Sequence, residues 1–362
     1  MSSFSSSPKS HTERRILAAI AALTLGVVVV AGWIVVGEEA AAPQLAPTST
    51  TLSTTPPPVD CGTVPPSDLL VPGCGVWLGS SDRRTDELDL AIQEEQLGRQ
   101  FEMVRLYAVG PDASFFDSRH LELADSGHRL VYSWKVSTDN GPGPVWRRVA
   151  AGEFDEQLRR AAGEIAESGH TAFFSLHHEP EDNALSQGGE YGTDEDYAAM
   201  LRHAHDLMEP IAGGQIIWFI NYMGHSFGDF DQVEAMYPGD DVVDWISWNP
   251  YNWFGCHGNA PWKSFKEQAR PFYRWSTSNH PGKPLMIGET ATDEQPGDDA
   301  AKATWVDEMA ESLESNFPEV RALLWFHQSR DSGFCERRWD SSTASLDAFV
   351  RLGSSEYFNP RH

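Results

Sequence analysis

Between residues 69 and 352, short apolar runs alternate with longer segments whose apolar positions recur at helical spacing. Runs at 75–81, 103–109, 128–134, 171–177, 215–222, 243–249, 283–289 and 320–327 are strand-like: short, and nearly unbroken in their hydrophobicity, as expected of strands covered on both faces. Amphipathic segments lie between or after them at 85–99, 154–168, 194–208, 229–237, 262–278, 298–316 and 341–352, with a shorter and poorer one at 115–126. Eight strands alternating with eight helical segments predict a (β/α)8 TIM barrel. A doubly wound open sheet would share the alternation, but no G-x-G-x-x-G follows any of the strands.

The chain ahead of the barrel reads differently. Residues 16–36 carry no charge and are long enough to cross a bilayer as a helix, with Lys9, Arg14 and Arg15 before them and Glu38 and Glu39 after. The positive-inside bias leaves 1–15 in the cytoplasm and exports the rest, as a single-pass cell-membrane protein with its globular part outside. Ala40–Ala42 is a poor signal-peptidase site because Pro43 follows it, which favours an uncleaved anchor over a secreted form. Residues 37–60 are rich in Pro, Ser and Thr and read as a disordered stalk, so the globular domain is expected over 61–362. Four cysteines, Cys61, Cys74, Cys256 and Cys335, lie in the exported part. Sequence order suggests Cys61–Cys74 and Cys256–Cys335, with three connectivities possible.

In a barrel of this kind the carboxyl ends of the strands carry the chemistry. The fourth strand ends in His177, His178 and Glu179, and the seventh ends in Glu289. Two glutamates at the tips of separate strands suggest paired-carboxylate chemistry, and glycoside hydrolysis is the commonest reaction of that design. The other strand ends supply Trp77, Arg105, Tyr107, Trp134, Lys135, Asn221, Tyr222, Asn249, Tyr251, Trp325 and His327. His178 reads as a positioning group, and His177 as either that or a hydrogen-bonded core histidine. Arg105 could contact substrate or form a buried ion pair. Trp134 and Trp253 suit sugar platforms, with core packing and rim exposure as their alternatives. Glu181 and Asp182 read as an exposed acidic loop. A metal site is the weaker reading of the paired histidines, because the helical H-E-x-x-H arrangement is absent.

Composition moves the picture one step further. Thirteen tryptophans lean toward carbohydrate, whose rings stack on flat aromatic faces. The formal net charge of −26 disfavours nucleic acid. It would also disfavour a strongly anionic polysaccharide unless a local basic patch received it, and no basic run occurs. No cofactor is implied, and a monomer is expected.

The stretches H-H-E-P at 177–180, Y-P-G-D-D-V-V-D-W-I-S-W-N-P-Y-N at 237–252 and K-P-L-M-I-G-E-T at 283–290 resemble glycoside hydrolase family 26 and, more broadly, the retaining barrel hydrolases of clan A. The resemblance implies that Glu179 is the general acid/base and Glu289 the nucleophile. It also implies that Tyr251 hydrogen-bonds the nucleophile and that Trp325 floors the subsite of the attacked sugar. Family members act on β-mannan, β-1,3-xylan and mixed-linkage glucan. Here Glu179 is followed by Pro180, Glu181 and Asp182 where mannanases usually carry a tryptophan-bearing loop. The expected function is therefore a surface-anchored retaining hydrolase of β-linked polysaccharide, of mannan, glucan or xylan type. The competing functions are a non-catalytic glycan-binding barrel and a metal-dependent polysaccharide hydrolase.

Overall fold

A computed structural model describes residues 66–81, 87–139, 141–224, 230–256, 259–328 and 335–360. The predicted membrane anchor at 16–36, the stalk at 37–60 and Cys61 lie outside the described residues. Among the described residues no helix is long and apolar enough to cross a membrane.

Eight parallel strands close into a barrel in chain order: β1 (Trp77–Ser81), β2 (Met103–Val109), β3 (Arg129–Lys135), β4 (Ala172–Leu176), β5 (Ile216–Tyr222), β6 (Trp245–Trp248), β7 (Leu285–Thr290) and β8 (Val320–Phe326). Around them lie α1 (Glu87–Leu97), α2 (Ser118–Asp125), α3 (Val145–Ala150), α4 (Asp155–Ser168), α5 (Asp194–Ala212), α6 (Phe230–Ala235), α7 (Phe265–Asn279), α8 (Ala301–Asn316) and α9 (Thr343–Ser354). The predicted barrel and all eight strands are present, each strand end within two residues of its expected place. The helix α3 was not predicted: it follows Gly-Pro-Gly-Pro at 141–144, a sequence that reads as a turn, and Pro144 serves as its N-cap.

Local chemistry fixes where the helices start. Thr193, Ser264 and Ser342 each begin a capping box, with the side chain accepting from the third backbone N–H and the residue there reaching back. The apolar faces so oriented cover the outside of the barrel and make the larger core. A second, smaller core fills the inside: Trp77, Met103, Val131, Phe173, Phe219 and Trp245 are among its members, all 2% exposed or less. Leu70 and Val71 pack against it, and the carbonyls of Leu70 and Leu69 accept from the indoles of Trp77 and Trp245. Trp77 therefore begins β1 at the sealed end of the barrel. It is not at the strand tip where the sequence reading placed it; that position belongs to Ser81.

Cys256, after β6, and Cys335, after β8, are joined with a Cα–Cα separation of 5.2 Å, the pairing that sequence order suggests. Cys74 is also disulfide-bonded.

Candidate active site

Above the apolar plug the barrel interior turns polar. Arg105 on β2 is fully buried and spends every nitrogen: Nε and one terminal nitrogen donate to Ser133 Oγ at 3.2 and 2.8 Å. The other donates to Asn221 Oδ1 at 3.1 Å and to the Gly288 carbonyl at 2.9 Å. Ser247 Oγ donates to the same Asn221 oxygen at 2.8 Å. A charged group tolerates complete burial when acceptors surround it, and here each of the three nitrogens has at least one. Asn221, a candidate substrate contact, and Arg105, read as either a substrate contact or a buried ion pair, are thus enclosed beneath the site and act as its foundation; for Arg105 the buried pair, with Glu289, is the one present.

Gly288 completes that layer by having no side chain. A Cβ there would lie 2.1 Å from Asn221 Oδ1, 2.4 Å from Ser247 Oγ and 2.8 Å from the Arg105 guanidinium. Gly288→Ala is expected to destabilise the fold by about 1–3 kcal/mol or more, the usual penalty of overpacking a closed interior. Differential scanning calorimetry would show the fall in melting temperature; an unchanged midpoint would mean that the layer yields to the extra methyl group.

One step above stand the two glutamates. Alternation along β7 turns Met286 inward and would turn Glu289 toward the helices, but the pairing of β7 with β8 slips between Ile287 and Thr290. Such a bulge re-aims the following side chain, and Glu289 points across the barrel instead. Tyr107 Oη donates to its Oε1 at 2.6 Å and Tyr251 Oη to its Oε2 at 2.6 Å. Arg105 lies 3.4 Å from Oε1. Burial raises both phenols well above the ordinary tyrosine range, so their hydroxyls stay protonated and available as donors. Glu289 is 5% exposed, and both of its oxygens are held.

Glu179 is dressed differently. Its carboxyl is pushed up to about 7, first by burial and then by the negative charge of Glu289; only the Asn249 amide, donating at 2.7 Å, works notably the other way among its hydrogen bonds. The backbone is strained here. His177 and Glu179 have φ of 53° and 54°, two of the four non-glycine residues in the left-handed region among the described residues. A cost of about 1–3 kcal/mol each is typical of functional strand ends. The Glu179 N–H donates to the Asn221 carbonyl at 2.8 Å, tying the loop to β5.

The two histidines part ways. His178 meets the Tyr107 ring edge-on with centroids 5.3 Å apart, against the tyrosine that holds Glu289. His177 is buried, its ring brought down to about 3 by burial and by nearby Lys135, and is therefore neutral. Its Nδ1 accepts from the Trp146 indole at 3.2 Å, leaving the ring proton on Nε2. The unpredicted α3 thus supplies the prop behind the loop that carries Glu179.

Two tryptophans expected as platforms lie elsewhere. Trp325 is fully buried on the outer face of β8, against Trp305 and Phe349, because Leu324 beside it points into the barrel. Trp134 is likewise outside β3, packed on Phe115 and Phe174 with its indole donating to the Gly110 carbonyl at 2.9 Å. Trp253 remains at the site: half-buried, with its ring 4.7 Å from that of Tyr251. Glu181 is also corrected. It is buried, accepts from the Met223 and Gly224 amides, and is pushed up to about 7 chiefly by burial. Tyr107 and Asn249 stood in the inventory of strand ends without a role. Strand period would have found Tyr107, since it shares a face with Arg105 and lies one layer nearer the tip.

No family model matches the chain. Endoglucanase H of Acetivibrio thermocellus is 25% identical over 290 residues, covering 78% of this chain; the chain spans 30% of that protein's length. Among solved structures, the catalytic domain of the Bacillus sp. JAMB-750 GH26 endo-β-1,4-mannanase has a TM-score of 0.57 at 12% identity, over 79% of this chain and 88% of the other. The modular endo-β-1,4-mannanase of Cellulomonas fimi gives 0.58 at 13%, over 80% and 73%. The GH26 β-mannanase of Bacteroides ovatus gives 0.56 at 16%, over 79% and 90%. At these identities the likeness to the solved structures is one of fold, and the chain has the barrel seen in family 26 glycoside hydrolases.

Proposed function

We propose that the chain is a glycoside hydrolase that cleaves β-1,4-linked polysaccharide of mannan or glucan type, with retention of configuration. The observation that carries the reading is the unequal treatment of two neighbouring carboxyl groups. Glu179 is held near neutrality by burial and by its partner's charge, as a proton donor to the leaving oxygen must be. Glu289 has donors on both oxygens and a guanidinium beside it, as a nucleophile poised to attack an anomeric carbon needs. In the first step Glu289 forms a bond to the anomeric carbon while Glu179 protonates the departing oxygen. In the second, Glu179, now a carboxylate, takes a proton from water as that water displaces Glu289. Tyr107 and Tyr251 keep the Glu289 carboxylate oriented throughout. The names of the similar proteins, endo-β-1,4-mannanases and an endoglucanase, support the choice of polymer.

The test is a panel of β-linked mannan, glucan and xylan polymers, with the anomer of the first-formed product followed by proton NMR. Initial release of the β-anomer supports the mechanism, whereas initial release of the α-anomer would indicate inversion. No hydrolysis of any member, with binding retained, would favour a glycan-binding barrel.

We also propose that residues 16–36 anchor the domain at the outer face of the cell membrane. The full chain should leave the membrane fraction only with detergent; a soluble form beginning between residues 38 and 59, with no protease added, would count against the anchor.

A further inference from the structure

The segment after Cys335 is fixed with unusual thoroughness. Three successive carbonyls accept from buried side chains: Lys302 Nζ donates to the Glu336 and Arg338 oxygens at 3.0 and 2.6 Å, and the Trp325 indole donates to the Arg337 oxygen between them at 2.7 Å. Lys302 is fully buried, at a real desolvation cost, and Cys335 itself is bonded to Cys256. What this framework presents is the Arg337 side chain. Its guanidinium carbon lies 5.0 Å from the ring centroid of Tyr251, 5.1 Å from Trp253 and 5.5 Å from Phe326. Tyr251 is the residue that holds Glu289.

The neighbouring Arg338 pairs with Glu336 and Asp340. Among the described residues the Arg337 side chain has no carboxylate partner, and its one hydrogen bond there is donated to Cys335 Sγ at 4.0 Å. Stacking on rings uses the flat face of a guanidinium and leaves its N–H edge available, and that edge matches a carboxylate bidentately. Lys135, at the end of β3, is close enough to Glu179 and His177 to influence both.

We propose that Arg337 is a specificity-determining residue that reads a carboxylate on the glycan, and that the preferred substrate is a β-linked polymer carrying uronic acid units. This rests on the hydrolase reading above for the word substrate, but the binding claim stands apart from turnover. The probes are matched oligosaccharides of equal length that differ only by oxidation at C6: β-1,4-mannuronate against β-1,4-mannose, and β-1,4-glucuronate against β-1,4-glucose. Binding is measured by calorimetry on the full chain carrying Glu179→Gln, so that nothing is consumed.

The carboxylated member of at least one pair should bind about tenfold or more tightly than its neutral partner, the scale of a charge-assisted hydrogen-bond pair. That preference should shrink as salt is raised. Adding Arg337→Met should bring the ratio close to one. Arg337→Lys, which keeps the charge and loses the fork, should leave part of it and serves as the second variant if the first does not fold. The pair that shows the preference identifies the sugar series. The proposal is overturned if neutral members bind as well as or better than carboxylated ones, if neither binds, or if both variants leave the ratio unchanged. A carboxylate preference in a protein that hydrolyses nothing would remove the hydrolase reading alone, and hydrolysis of neutral polymers with no such preference would remove this one alone.

Discussion

Under the proposed two-step mechanism, Glu289→Ala reduces turnover of a polymeric substrate by at least about 10³-fold, since the covalent route to product is lost with its nucleophile. Azide or formate should restore part of the rate on an activated aryl glycoside by entering the space the carboxylate vacates. The rescued product should be the glycosyl azide of inverted configuration. The geometry makes the variant unusually clean. Tyr107, Tyr251 and Arg105 remain as donors around the gap, ready to receive a small anion. A Glu289→Ala protein that cleaves at close to the wild-type rate would sink the nucleophile assignment and the two-step mechanism together.

Glu179→Ala costs about 10²–10⁴-fold on natural glycans, the usual range for a general acid. It should cost far less on aryl glycosides with acidic leaving groups, which depart with little protonation. The pH dependence carries a second signature. Glu179 must be protonated to act as acid, and its carboxyl sits at about 7 instead of the usual 4.5. Activity on natural substrate therefore falls as pH rises through about 7, and Glu179→Gln removes that limb. Asn249→Ala removes a side-chain donor to Glu179, so it should move the limb to higher pH. Rate profiles of kcat/KM over pH 5–9 would show this; an alkaline limb that survives Glu179→Gln in place would assign it to another group.

Much of this architecture is legible in the chain because a parallel barrel writes each strand as a compact apolar run, and β2 can be bounded correctly from the run alone. The placement of Glu179 and Glu289 at strand tips follows from the same pattern. Side-chain direction is where the sequence becomes ambiguous. A strand alternates its faces every residue, so a tryptophan near a tip is equally compatible with the cleft and with the helical shell, and Trp325 and Trp134 both turn to the shell. Glu289 would have followed them outward without the slip between Ile287 and Thr290, which no local signal announces. Arg105 and Asn221 carry the right chemistry for sugar binding but lie one layer too deep. Glu181 looks like a solvated loop acid because nothing in E-D-N foretells that the chain turns it onto the Met223 and Gly224 amides.

The apolar plug and the polar layer over it imply one-sided traffic. Trp77, Phe173 and Trp245 below, and Arg105, Asn221 and Ser247 above them, are all 1% exposed or less, so Glu289 has no solvent at its back. In the proposed mechanism, whatever discharges a glycosyl group from Glu289 must then arrive from the same side by which the leaving sugar departs. Water and a second saccharide would compete for that approach. Crowding with oligosaccharide would divert the enzyme from shortening chains toward rejoining them.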